Sequence, residues 1–169
     1  MKALAVVAVV ALAAASTVAA AELRVQPNKE NVVASRLAGT WRPHAALTER
    51  LTGRPPREGG ESPTDVIAFK ADPAVAATVP AKYREFLVGK PLFMAGRMTL
   101  RGTDHPFLLV ELHGNPHVVY FRERDGDPMG DAESFNLVVA PAKDSAKDLL
   151  FIGGDFNNQP FTAFERPPQ

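Results

Sequence analysis

The sequence predicts a mainly β protein: an antiparallel up-and-down barrel of about eight strands, with one or two short helices between strands two and three. Three observations predict it. After Lys90, six short segments rich in β-branched and aromatic residues follow one another at near-regular spacing, each bounded by Gly, Pro, Asn or Asp. No helix-length gap separates them, so hairpins rather than parallel crossovers connect them. Two further strand-like segments lie upstream, one around Trp41 and one at residues 65–70 (DVIAFK). About eight strands is a common number for a small closed barrel, and closure removes the edges that such apolar strands would otherwise expose.

The chain opens on an export signal. Lys2 supplies a positive start, residues 4–15 are an unbroken run of Leu, Val and Ala, and residues 16–21 are small, with Val18-x-Ala20 and Ala19-x-Ala21 spacings that suit a signal peptidase. The run is too short for a membrane span, which needs about 20 residues. No other stretch is apolar enough to cross a bilayer, so the mature chain is expected to have no integral span. Its expected location is the periplasm or the external medium.

Removing residues 1–21 takes away Lys2 and no acid, leaving 18 basic against 19 acidic side chains. That balance argues against nucleic acid and against capture by an anionic membrane surface. There is no cysteine, which excludes disulfides, thiolate metal sites and covalently held haem. The remaining 148 residues are enough for one core without staples. Residues 22–36 read as a loose leader with a short helical turn at its end, and 37–166 as a single barrel domain.

Along the chain, residues 44–51 fit either a helix or a strand continuing from Trp41. Residues 54–63 (RPPREGGESP) form a loop, since Pro and Gly crowd out regular structure. Asp72-Pro73 is a helix start, an N-cap acid followed by proline where a missing N–H is harmless. Pro80 divides the helical stretch in two. The second helix sets Tyr83, Phe86 and Leu87 on one face, stops at Gly89, and either caps one barrel end or fills the core. Strands follow at residues 92–100, 106–113, 117–124, 134–140, 148–154 and 160–165.

Two hairpins can be put in register. A two-residue Gly114-Asn115 loop sets Leu112 opposite His117, Val110 opposite Val119 and Leu108 opposite Phe121. One face is then Leu108, Val110, Leu112, Val119 and Phe121, nearly pure core; the other holds Phe107, Leu109, Glu111, Val118, Tyr120 and Arg122. A three-residue loop would put Arg122 among the leucines, a worse face to bury. In the last hairpin an Asn157-Asn158 turn sets Phe151 opposite Phe164 and Gly154 opposite Phe161, an aromatic ring covering a strand glycine.

Gly39-Thr40-Trp41, shortly after a helical turn, resembles the Gly-x-Trp opening of the lipocalins and the wider calycin barrels. The resemblance implies that Trp41 closes one barrel end and stacks on an Arg from the last strand or just beyond it, here Arg166. Thr103-Asp104-His105 looks like the family's Thr-Asp-Tyr motif but falls too early in the strand order. Two helices between the second and third strands also depart from the family layout.

The polar residues offer little chemistry. His113, His117 and Glu111 cluster in sequence, and with His105 they could be drawn as a metal site, but the preferred register points His113 and His117 to opposite faces. No serine lies in a nucleophile motif. Asp125, Asp127, Asp131 and Glu133 match a calcium loop loosely, with Pro128 breaking the pattern, so an ordinary acidic turn is the better reading. Arg50, Arg54 and Arg57 could hold an anion; a solvated loop is favoured.

The function read from these residues is an exported, non-enzymatic barrel whose interior or mouth holds a small apolar molecule, with Phe107, Leu109, Tyr120, Tyr83 and Phe86 as lining residues. The alternative is an envelope structural or interaction module with a filled barrel. Third comes a metal-dependent enzyme around His105, His113 and Glu111. No catalytic residue, metal or cofactor is expected.

Overall fold

The computed structural model describes residues 23, 25, 32–53, 66–153 and 162–168. Eight strands pair in sequence order and close: β1 (Gly39–Pro43), β2 (Ile67–Ala71), β3 (Leu92–Leu100), β4 (Thr103–Leu112), β5 (Asn115–Arg124), β6 (Asp127–Ala140), β7 (Leu149–Gly153) and β8 (Thr162–Glu165). Every neighbouring pair is antiparallel, and β1 meets β8 through Arg42↔Glu165 and Pro43↔Phe164. The predicted class therefore holds. The export segment, the loop with Arg54 and Arg57, Gly154, Phe161 and the Asn157-Asn158 turn lie outside the described residues.

Three tight hairpins share one solution. Arg101-Gly102, His113-Gly114 and Asp125-Gly126 join β3 to β4, β4 to β5 and β5 to β6, with φ of 52° and 76°, 53° and 79°, and 54° and 80°. A positive-φ pair is what a type I′ turn requires, and its twist matches that of the flanking strands. The β4–β5 turn is thus His113-Gly114, not Gly114-Asn115. Leu108 pairs with Val119, Val110 with His117 and Leu112 with Asn115. The predicted partners are displaced by two residues, so both predicted faces survive intact. Strand β4 starts at Thr103 rather than 106, and β6 at Asp127 rather than 134, because ladder pairing runs right up to the turns.

The β7–β8 register differs by a single residue, with the opposite consequence. Leu150 pairs with Phe164 and Phe151 with Ala163. Phe164 is then fully buried in the inner core, while Phe151 stands on the outer face, half-buried. The expected Phe151–Phe164 pair does not form.

Two apolar layers result. The barrel interior holds Trp41, Ile67, Phe69, Met94, Met98, Phe107, Leu109, Val118, Tyr120, Leu137, Val139, Leu150, Ile152 and Phe164. The face expected to be the main core, Leu108, Val110, Leu112, Val119 and Phe121, is buried on the outside of the wall. It lies beneath α3 (Val75–Thr78) and α4 (Ala81–Leu87), with Leu23 and Val25 packed against the same cluster. The leader is therefore not loose at these two residues. Asp72 accepts from the Ala74 N–H at 3.2 Å in the turn before α3, but the N-cap of α3 is Ala74, without a side-chain cap bond, so the helix starts later than the expected Asp72-Pro73.

Helix α4 neither caps an end nor fills the interior. Tyr83 packs on Phe121 (ring centroids 5.2 Å apart), its hydroxyl donates to Gly130 O, and Leu87 is buried. Phe86 faces outward, 59% exposed, with Lys90 Nζ 4.7 Å from its ring centroid. The ambiguous stretch after Trp41 is helix α2 (Ala45–Thr52), capped by His44 Nδ1 accepting from Leu47 N–H; Thr48 Oγ1 accepts from the Ala163 N–H at 2.9 Å.

One barrel end is plugged by α1 (Val32–Arg36). Val33 and Leu37 join the inner cluster beside Trp41, whose indole N–H donates to Leu37 O at 2.8 Å. Arg166 lies over the Trp41 ring, with Cζ 3.9 Å from the centroid, and its guanidinium donates to Ala38 O and Arg36 O. Arg36 reaches both oxygens of Asp148, which is fully buried and also accepts from the Ala142 N–H. The Trp–Arg contact implied by the resemblance is present.

Candidate functional site at the barrel end opposite α1

The interior offers little accessible surface along most of its length. Trp41, Ile67, Met98, Phe107, Leu109, Val118, Leu150 and Phe164 each have 0% relative exposure, so not even water reaches them. A side chain lining a ligand-sized hollow would show exposed area. Of the five predicted lining residues, Phe107, Leu109 and Tyr120 do point inward, the first two sealed in. Tyr83 and Phe86 sit outside the wall. The structure does not bring the five together.

Inward-facing polar groups gather at the end marked by the Arg101-Gly102 and Asp125-Gly126 turns. On β5, Tyr120 and Arg122 point the same way, because side chains alternate along a strand. On β6 they meet Glu133 and Asp131, their cross-strand partners. The Tyr120 hydroxyl donates to Glu133 Oε2, and Arg122 Nη2 contacts both Glu133 Oε1 and Asp131 Oδ2. His105 on β4 sets its ring edgewise to Tyr120, with centroids 5.5 Å apart. Its Nδ1 lies 3.2 Å from Phe121 O; a carbonyl only accepts, so Nδ1 carries the proton. Phe135 tilts against Tyr120 from the other side at 5.9 Å, and Leu100 completes the apolar part; both are half-buried.

Burial, followed by the hydrogen bond to Glu133 and its negative charge, raises the Tyr120 pKa well above its ordinary 10.0. The hydroxyl is held neutral as a donor. Asp131 is shifted the other way, lowered chiefly by its hydrogen bond to Arg122. The sign for Tyr120 follows from linkage. A raised folded-state pKa contributes stability that is fully present below pH 10 and is lost as pH rises through the folded-state value. Urea midpoints across an alkaline series should therefore fall more steeply for the wild type than for Tyr120→Phe. Parallel curves would contradict the assignment.

The proposed metal cluster does not assemble. His113 is a turn residue at the α1 end, His117 is buried on the outer face, and His105 lies at the opposite end. Among the described residues no three His, Cys, Asp or Glu side chains converge on one point. The acids of the supposed calcium loop are spent locally: Asp127 accepts from the Met129 N–H, and Asp131 pairs with Arg122. Phe135 was not singled out by sequence, Arg122 was placed on the Tyr120 face without a role, and Glu133 was named only in the loose calcium-loop match. The register that joins them is shifted by a bulge between Arg122 and Arg124, which no residue pattern announces. No protein-family model, curated protein or solved structure matches this chain.

Proposed function

We propose that the chain is an exported, non-enzymatic, calycin-like barrel that seats a small, mainly apolar molecule at the end opposite α1. The carrying observation is an asymmetry between the ends. One is filled by α1, Trp41 and Arg166, while the other keeps inward-facing Leu100, Phe135 and His105 half-buried around Tyr120. A molecule there would rest on these rings rather than on Phe107 and Leu109. The Trp41–Arg166 stack and the helix across one end support the calycin likeness; the composition of residues 1–21 supports export.

The test uses the neutral fluorescent probe N-phenylnaphthylamine, together with native mass spectrometry of the purified protein. Saturable, one-to-one enhancement is expected, weakened about tenfold by Phe135→Ala, the equivalent of about 1.4 kcal/mol of ring contact. No saturable signal and no co-purifying mass would favour a second reading, an envelope interaction module with a filled barrel. The sealed side chains of the interior are what favour that reading.

A further inference from the structure

We propose that the molecule seated at this end carries a neutral hydroxyl that donates to His105 Nε2. This rests on the seat proposed above and adds the class of ligand, an alcohol or a phenol. The cause lies in Pro106. Glu111 donates its backbone N–H to Pro91 O, on the β3 side. Strand N–H groups alternate in direction, so residues 110, 108 and 106 face β5 with theirs. One step beyond the Phe107↔Tyr120 pair, Pro106 comes opposite Phe121 and has no N–H to give. The Phe121 carbonyl is satisfied instead by His105 Nδ1 at 3.2 Å. That bond holds the ring proton on Nδ1, so a neutral imidazole presents an acceptor lone pair at Nε2.

No hydrogen bond joins that Nε2 to a described residue, and the atom is not sealed from solvent. The ring is half-buried and points inward, so the opening is toward the seat. The polar groups beside it are engaged with one another. Tyr120 donates to Glu133, and Arg122 pairs with Glu133 and Asp131. What a ligand head brings to Nε2 therefore decides between heads. A head that displaces water from this atom without donating to it leaves the lone pair unmatched and loses affinity. An ether, an ester or a carboxylate presents lone pairs alone. An ammonium donates, but it must shed tightly held water to enter an apolar seat. A hydroxyl donates without that cost.

The experiment compares naphthol, its methyl ether and naphthoate, each substituted at the same carbon, so that the apolar body is constant and the head changes. Binding is followed by calorimetry and by nuclear magnetic resonance of the imidazole nitrogens, at about pH 8, where an ordinary imidazole is neutral. The free protein should show the His105 proton on Nδ1. Naphthol should bind about fivefold more tightly than the ether or naphthoate. It should also shift the His105 Nε2 resonance as an accepted hydrogen bond does, and the ether should not. His105→Phe keeps a ring and loses the acceptor, so it should abolish the preference, with circular dichroism verifying the fold. If that variant does not fold, the nitrogen shift in the wild type decides. A proton found on Nε2, equal binding of naphthol and its ether, or a preference for naphthoate overturns the hydroxyl assignment and leaves the apolar seat standing. A preference retained in His105→Phe, or naphthol binding without the Nε2 shift, overturns the role of His105. Binding of none of the three overturns the seat as well.

Discussion

Trp41→Ala should lower folding stability by about 3–5 kcal/mol, the range for emptying a buried aromatic site. Three losses coincide at this residue. The ring is fully buried in the inner cluster, so its removal leaves a cavity between α1 and the barrel floor. Its indole N–H satisfies Leu37 O, the carbonyl at the end of α1. Its face also supports Arg166, whose guanidinium ties the end of the chain to the Arg36 and Ala38 carbonyls. Arg166→Ala should cost less, because it removes the stack and the tether and leaves the core filled. Urea unfolding of the two variants measures both. A Trp41→Ala loss below about 1 kcal/mol, the level of a surface change, would mean that this end is not a packed closure.

Gly96→Ala should be the costliest single methyl in the described barrel, at about 2–4 kcal/mol. A Cβ at this position would sit 2.1 Å from Lys70 O and 2.8 Å from Phe107 Cε1. The first is backbone of the paired strand β2, which cannot step aside without breaking its ladder to β3. The second is a fully buried ring with no room to retreat. Gly114→Ala is the comparison. Its φ of 79° disfavours a side chain, but nothing lies within 4 Å, so about 1 kcal/mol is expected. If thermal unfolding ranks the two variants in reverse, the close approach of β2 and Phe107 to Gly96 is wrong. The ring-over-glycine device anticipated at Gly154 and Phe161 is thus found at Gly96 and Phe107, inside the barrel.

The architecture was legible because it depends on features a single sequence displays: strand-length apolar segments, short turns and a Gly-x-Trp opening. Register was legible only to the extent that turn chemistry was applied evenly. Arg101-Gly102 and Asp125-Gly126 place glycine at the second central position, and the same rule picks His113-Gly114; attention to Asn115 displaced the turn by one residue and the partners by two. That error preserved the faces. The β7–β8 error of one residue did not, and it misplaced Phe151.

Which face was interior could not be read at all. Both faces of β4 and β5 are apolar, since one lines the barrel and the other lies beneath α3 and α4. Alternation fails as a guide where both sides are covered. The candidate site suffered further: Tyr120 meets Glu133 only because a bulge shifts the β5–β6 ladder, and Phe135 joins them from the same strand. Tyr83 and Phe86 were drawn to the ligand by their ring chemistry alone, whereas the helix that bears them belongs to the outer layer.

The order of the strands has one last consequence. Every neighbour in the ring is also the next strand in sequence, save where β1 meets β8. Seven of the eight junctions can therefore form between segments close along the chain, at small loop-closure entropy. The remaining junction must draw together segments more than a hundred residues apart, and its ladder is short, Arg42↔Glu165 and Pro43↔Phe164. The Arg166 tether, the Arg42–Glu165 ion pair and the Thr48–Ala163 bond all act across that same long separation. They are fasteners for the join that the chain's own connectivity does least to make.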